Sequence, residues 1–239
     1  MRKQYFLLID TETTQDQLVA DFGAIVIDRK GNILNQCAVL TGGIYTDPAN
    51  HPLFFTSDSD PVWGKAHLDR RYETYRRMIK SGSRMIATVP AINNWLAKAA
   101  ASYQPIMTAY NLPFDTHKCA NTGIDLTLFN QSFCLWKASY TQWALTKAYK
   151  RMILECHGFN SPTEHGNMSY KTNAEMMARF VLDNPGLQDE PHTALEDLVF
   201  YELPILVKLL KQRSTKWLLN ETRGFDWKTV QVRNHFKPI

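Results

Sequence analysis

Tyr5-Phe6-Leu7-Leu8-Ile9-Asp10-Thr11-Glu12-Thr13 is an uninterrupted apolar run that ends on two acids two positions apart. Five consecutive apolar side chains fit a strand buried on both faces. Residues two apart in a strand point the same way, so Asp10 and Glu12 project together while Thr11 turns to the opposite face. Neighbouring carboxylates repel, and one holds a proton unless a cation lies between them. A hard divalent ion relieves that cost. Taken alone, the tripeptide fits a pair of solvated acids at a strand end better, because such tripeptides are common.

Outward from this strand, residues 19–28 and 33–41 read as two more, joined by the turn Arg29-Lys30-Gly31-Asn32. Residues 42–84 are irregular, rich in Pro, Asp, Ser and aromatics, with a helix at 68–80; they read as an insertion on the domain. Ile92, Trp95, Leu96 and Ala99 have helical spacing within 91–102. A strand at 106–110, a helix at 114–122 and a strand at 132–136 follow. Residues 140–156, free of Pro and Gly, predict one long helix. Helices at 172–182 and 192–213 flank the turn Asn184-Pro185-Gly186, and a mixed tail occupies 214–239. Three strands followed by alternating strands and helices predict an α/β domain, a mixed β-sheet flanked by helices in the ribonuclease-H-like layout. The expectation is one domain over 1–239 with its core at about 5–213.

Bulk properties are those of a globular protein: 239 residues, 44% hydrophobic and 21% charged, enough chain for a substantial core. The net charge of +4 tilts mildly toward an anionic partner. Cys37, Cys119, Cys134 and Cys156 form no C-x-x-C pair and fit reduced thiols. Arg2 and Lys3 precede an apolar stretch too short for a secretion signal, and no segment approaches the ~18 apolar residues of a membrane span. The expected location is cytoplasmic, without a membrane.

Two further packets carry acids. Asp115 closes Asn111-Leu112-Pro113-Phe114-Asp115, where Pro113 and Phe114 suit a first helical turn and Asp115 lies at the positive end of its dipole. Asn111 is a turn or capping residue in the same reading. His192-Thr193-Ala194-Leu195-Glu196-Asp197 opens a helix whose core side carries Leu195, Leu198, Val199 and Leu203. Asp197 then points to the sheet and Glu196 to solvent. Four carboxylates and an imidazole delivered by three segments suit a two-metal site for phosphodiester cleavage.

The three packets resemble the motifs of the DnaQ-like, DEDDh-type 3′–5′ exonucleases. The strand ending in Asp10-Thr11-Glu12-Thr13 is similar to the family's D-x-E-T, Asn111 through Asp115 to N-x-x-F-D, and His192 through Asp197 to H-x-A-x-x-D. The resemblance spans nearly the whole chain, and the insertion at 42–84 departs from it. It implies that Asp10 bridges two Mg²⁺ or Mn²⁺ ions, with Glu12 and Asp197 completing the first and Asp115 holding the second. His192 is then the general base, since an imidazole changes charge near neutral pH. Thr11, Thr13 and Asn111 are expected substrate contacts. The implied reaction releases nucleoside 5′-monophosphates from the 3′ end of single-stranded DNA or RNA. An exoribonuclease that trims RNA or short oligonucleotides is a close alternative. A non-catalytic nucleic-acid-binding module is another, and a phosphatase or nucleotidase would release phosphate instead. No replication or repair partner is identifiable from the sequence.

The insertion interleaves Arg70, Arg71, Arg76, Arg77, Lys80 and Arg84 with Tyr72 and Tyr75. Arg76 and Arg77 are expected to grip phosphates while the tyrosines stack on unpaired bases. The competing reading is a solvated helix with its tyrosines packed inward. Cys156, His157 and His165 match no zinc-finger spacing, and Phe54, Phe55 and Trp63 fit either base wedges or aromatic core.

Overall fold

Nine residues, Tyr5–Thr13 (β1), form the strand at the centre of the sheet. The computed structural model describes residues 3–54, 61–160, 168–221 and 235–236, with the backbone alone for 61–67, 168, 221 and 235–236. Phe55, His165 and the side chain of Trp63 lie outside the described residues. β1 is longer than the apolar run because Asp10 to Thr13 stay paired with β2 (Val19–Asp28), Asp10 opposite Gly23 and Glu12 opposite Asp21. β3 (Ile33–Thr41) pairs antiparallel with β2, and both strands keep their expected bounds.

β4 (Met85–Ala87), a short edge strand absent from the sequence reading, runs parallel to β3. Beyond β1 lie β5 (Ile106–Ala109) and β6 (Ser132–Cys134), both parallel. The order is β4-β3-β2-β1-β5-β6, with β2 alone reversed. The expected ribonuclease-H-like mixed sheet, flanked by helices, is the fold observed.

Alternation along β1 splits the core. Leu7 and Ile9 meet Ile92 and Leu96 of α2 (Val89–Tyr103) and Cys119 of α3 (Leu112–Thr122). Phe6 and Leu8 face the opposite layer, with Ile205, Leu206 and Leu209 of α8 (Leu203–Gln212). Each such buried side chain contributes about 1.5–3 kcal/mol. α1 (Pro61–Ser81) packs Leu68, Tyr72, Tyr75 and Met78 onto Ala20, Leu40 and Leu53. Tyr75 is wholly buried and Tyr72 half-buried in the same cluster, so Tyr75 at least is not available to stack on bases.

Two helical expectations change. The strand expected at 132–136 ends at Cys134 and gives way to α4 (Leu135–Ser139) and a π-helical stretch, Tyr140–Ala144. α5 (Lys147–Glu155) starts afresh because Thr146 takes an extended backbone and its hydroxyl accepts the Tyr149 N–H. α6 (Ala174–Leu182) is capped in the same way by Asn173. The last long helix is α7 (Ala194–Asp197), a π-helical stretch Leu198–Glu202, and α8. Pro204 has no N–H to continue the α pattern, and Leu203 N–H bonds back to Leu198 O instead. Among the described residues, no helix is long and apolar enough to cross a membrane.

Candidate active site

The three acidic packets meet at the C-terminal end of β1. Asn111 takes a left-handed backbone (φ 72°), turning the chain out of β5 into α3 and placing Asp115 in the first helical turn. There Asp115 is buried and accepts a hydrogen bond of 2.9 Å from Thr11 Oγ1. Thr11 thus orients one of the acids from the opposite face of β1. The third packet turns at His192, also left-handed (φ 55°), into α7. Asp197 Oδ2 accepts the Thr193 N–H at 3.1 Å, while the buried Oδ1 has no hydrogen-bond partner.

α7 reaches the sheet because two small residues meet. A Cβ on Gly23 would lie 2.7 Å from the Ala194 carbonyl carbon, so only glycine admits this approach. Asp21, buried beside it, accepts the Ala194 N–H at 3.0 Å and pairs with Arg84 at 3.1 Å. Arg84 is fully buried and also binds Glu196. Glu196 is therefore an ion-pair partner and not the solvated acid expected from the sequence. Arg84 is a structural cation and does not lie open to substrate. Removing one member of such a buried pair costs about 3–5 kcal/mol.

Asp10, Glu12, Asp115, His192 and Asp197 line one cleft, together with Thr11, Thr13, Asn111, Phe54 and Phe114. Two acids absent from the sequence reading, Glu190 and Glu202, line it as well. Glu202 is buried and accepts the Tyr110 N–H at 3.3 Å. Burial raises all of these acids, and their mutual repulsion adds to it. Burial, then Glu202 and Asp115, hold Asp10 well above the usual carboxylate range. Asp115 rises to about 8 through burial, against the opposing Thr11 hydrogen bond. Asp197 rises to about 9 through burial, Glu12 and Glu190. Glu190 rises to about 7 through burial and then Glu175, and Glu202 goes well above its ordinary value through burial and then Asp115. Glu12 is raised less freely, because Arg71 opposes its burial.

Ligand atoms of Glu12, His192 and Asp197 lie within 4.8 Å of one another. Asp10 and Asp115 share the cleft but stand outside that tightest group. The His192 ring is exposed at the rim, with Nδ1 3.8 Å from Glu12 Oε1. A cluster of carboxylates with one imidazole and an orphaned carboxylate oxygen fits a hard divalent cation such as Mg²⁺ or Mn²⁺.

Arg76 and Arg77 stand on the outer side of α1, bound to Glu73 and Thr74, and neither lines the cleft. Arg71 is the insertion arginine that touches the site. Its Nη2 donates to Glu12 Oε2 at 2.9 Å, and its Nη1 to the Phe54 carbonyl at 2.8 Å. The signal was in the spacing: Leu68, Arg71, Tyr72 and Tyr75 share one helical face, and its apolar members show that this face is inward.

No protein-family model matches this chain, and no curated protein matches it. A solved structure of exonuclease I in complex with the inhibitor BCBP is similar over 91% of this chain, at 14% identity and a TM-score of 0.46. The chain spans 43% of that protein's length.

Proposed function

We propose that this protein is a divalent-metal-dependent 3′–5′ exonuclease of the DEDDh type, removing nucleoside 5′-monophosphates from a single-stranded 3′ end. The observation that carries the reading is the unpartnered, buried Asp197 Oδ1 in a cleft where Asp10, Glu12, Asp115 and His192 converge from three distant segments. Raised, mutually repelling carboxylates are costly unless cations neutralise them. Asp10, Glu12, Asp115 and Asp197 would hold Mg²⁺ or Mn²⁺. Such ions, when bound, supply a more acidic water and stabilise charge on the phosphorus centre and leaving oxygen.

The chain's own residues do the rest. His192, exposed at the rim beside Glu12, accepts the proton of the attacking water. Water oxygen bonds to phosphorus, the bond from phosphorus to the 3′ oxygen breaks, and that oxygen takes a proton from solvent. Thr11 keeps Asp115 oriented, and Phe54 and Phe114 line the cleft with exposed rings. The net charge of +4 supports a polyanionic partner despite the acidic cleft.

The test is a panel of labelled single- and double-stranded DNA and RNA, incubated with Mg²⁺, Mn²⁺ or EDTA, with products sized. Mononucleotide release from single strands that stops in EDTA is expected. Inert substrates under all metal conditions would leave a nucleic-acid-binding module, and release of inorganic phosphate alone would indicate a phosphatase.

A further inference from the structure

The insertion helix α1 does more than pack on β2 and β3. Arg71 Nη2 donates to Glu12 Oε2 at 2.9 Å and to the His192 carbonyl at 3.4 Å. Tyr75 Oη donates to the same carbonyl at 3.4 Å. Arg71 Nη1 holds the Phe54 carbonyl at 2.8 Å. One guanidinium therefore ties the end of β1, the 54 loop and the 192 loop together. Tyr75 is fixed by total burial and by an edge-on contact with the Tyr45 ring, 5.5 Å between centroids.

His192 needs such fixing. Its φ of 55° is uncommon for a residue with a side chain, and persists only where the surroundings impose it. Turning this peptide would move the imidazole away from Glu12. The flanking residues are anchored already, Ala194 N–H on Asp21 and Thr193 N–H on Asp197. For His192 itself, the described hydrogen bonds to its main chain are those from α1.

We propose that Arg71 and Tyr75 are positioning residues: through the His192 carbonyl and Glu12 they hold the general base over the acidic cluster. α1 is then a brace for the site, a role separate from the substrate grip expected of Arg76 and Arg77. The inference rests on the exonuclease reading for its catalytic consequence. Its structural content stands apart from that reading. Arginine is specific to the role, because a lysine keeps the charge but cannot present a planar fork to three acceptors.

The experiment compares wild type with Arg71→Lys and Tyr75→Phe, both conservative enough to retain the packing of α1. Three quantities are read: steady-state kinetics on a single-stranded oligonucleotide with Mn²⁺, thermal unfolding, and amide hydrogen exchange of peptides covering residues 188–198. We expect kcat to fall about ten- to a hundredfold, as for a misplaced catalytic group, with KM and melting temperature nearly unchanged. Exchange should quicken in the 188–198 peptides and stay the same elsewhere. Full kcat together with unchanged local exchange in both variants would overturn the brace. An inactive wild type would retire the exonuclease reading alone, and exchange then decides: local acceleration supports the brace, and none refutes it. A general drop in melting temperature with exchange rising everywhere would reduce Arg71 and Tyr75 to ordinary packing residues.

Discussion

Gly23 on β2 and Ala194 at the start of α7 are in backbone contact, and a methyl group on Gly23 would come within 2.7 Å of the Ala194 carbonyl carbon. This contact sets how far Asp197 reaches into the cleft. Gly23→Ala should push α7 off the sheet, destabilising the fold by about 1–3 kcal/mol. Urea unfolding measures the cost. Calorimetry should also show weaker Mn²⁺ binding, since Asp197 retreats from Glu12.

Asp197→Asn separates stability from function. Replacing the carboxyl with a neutral amide should raise the melting temperature of the metal-free protein at pH 8, because folding no longer has to protonate an acid that burial, Glu12 and Glu190 hold at about 9. The same variant should lose the stabilisation that Mn²⁺ gives the wild type, and nearly all turnover with it. A thermal melt with and without Mn²⁺ reads both effects.

His192→Ala should slow hydrolysis by about 10²–10⁴, the usual contribution of a general base. Mn²⁺ binding, followed by calorimetry, should survive. Loss of the metal as well would make His192 a ligand, which its nearness to Glu12 and Asp197 would then explain.

The raised acids predict an unusual pH dependence. Asp115 and Asp197, held at about 8 and about 9, bind protons in the folded chain. The unfolded chain releases the same protons near pH ~4. The folded state therefore binds more protons across this window, and stability declines as pH rises through it. The metal-free melting temperature should fall from pH 5 to pH 9, and added Mn²⁺ should restore most where the pH is highest. Glu202→Gln should flatten the slope by easing the repulsion on Asp10.

Much of this was legible in the chain. The apolar run into Asp10 and the β-branched stretches either side of Arg29-Lys30-Gly31-Asn32 mark the central strands, because burial on two faces leaves an unbroken apolar signature. The five motif residues do share a cleft. Glu202 was hidden by helical geometry. Residues five apart point to different sides of an α-helix, but the 198–202 stretch is π-helical, with i→i+5 bonding, and Glu202 lines the same cleft as Asp197. Thr146 looked like one more helical residue, although its hydroxyl ends one helix and caps the next. Arg71 and Arg84 were indistinguishable by composition from Arg76 and Arg77, since long-range partners such as Glu12, Asp21 and Glu196 leave no local pattern.

In the proposed function, three distant acidic segments build one cation-dependent phosphodiester-cleaving site. A time course on a 5′-labelled single-stranded oligonucleotide, resolved to single nucleotides with Mn²⁺ and compared with Asp197→Asn, tests it most directly. A ladder that shortens one nucleotide at a time from the 3′ end is expected in wild type, and an intact strand in the variant. Immediate release of the labelled end nucleotide, discrete internal fragments, or equal cleavage by Asp197→Asn would contradict it.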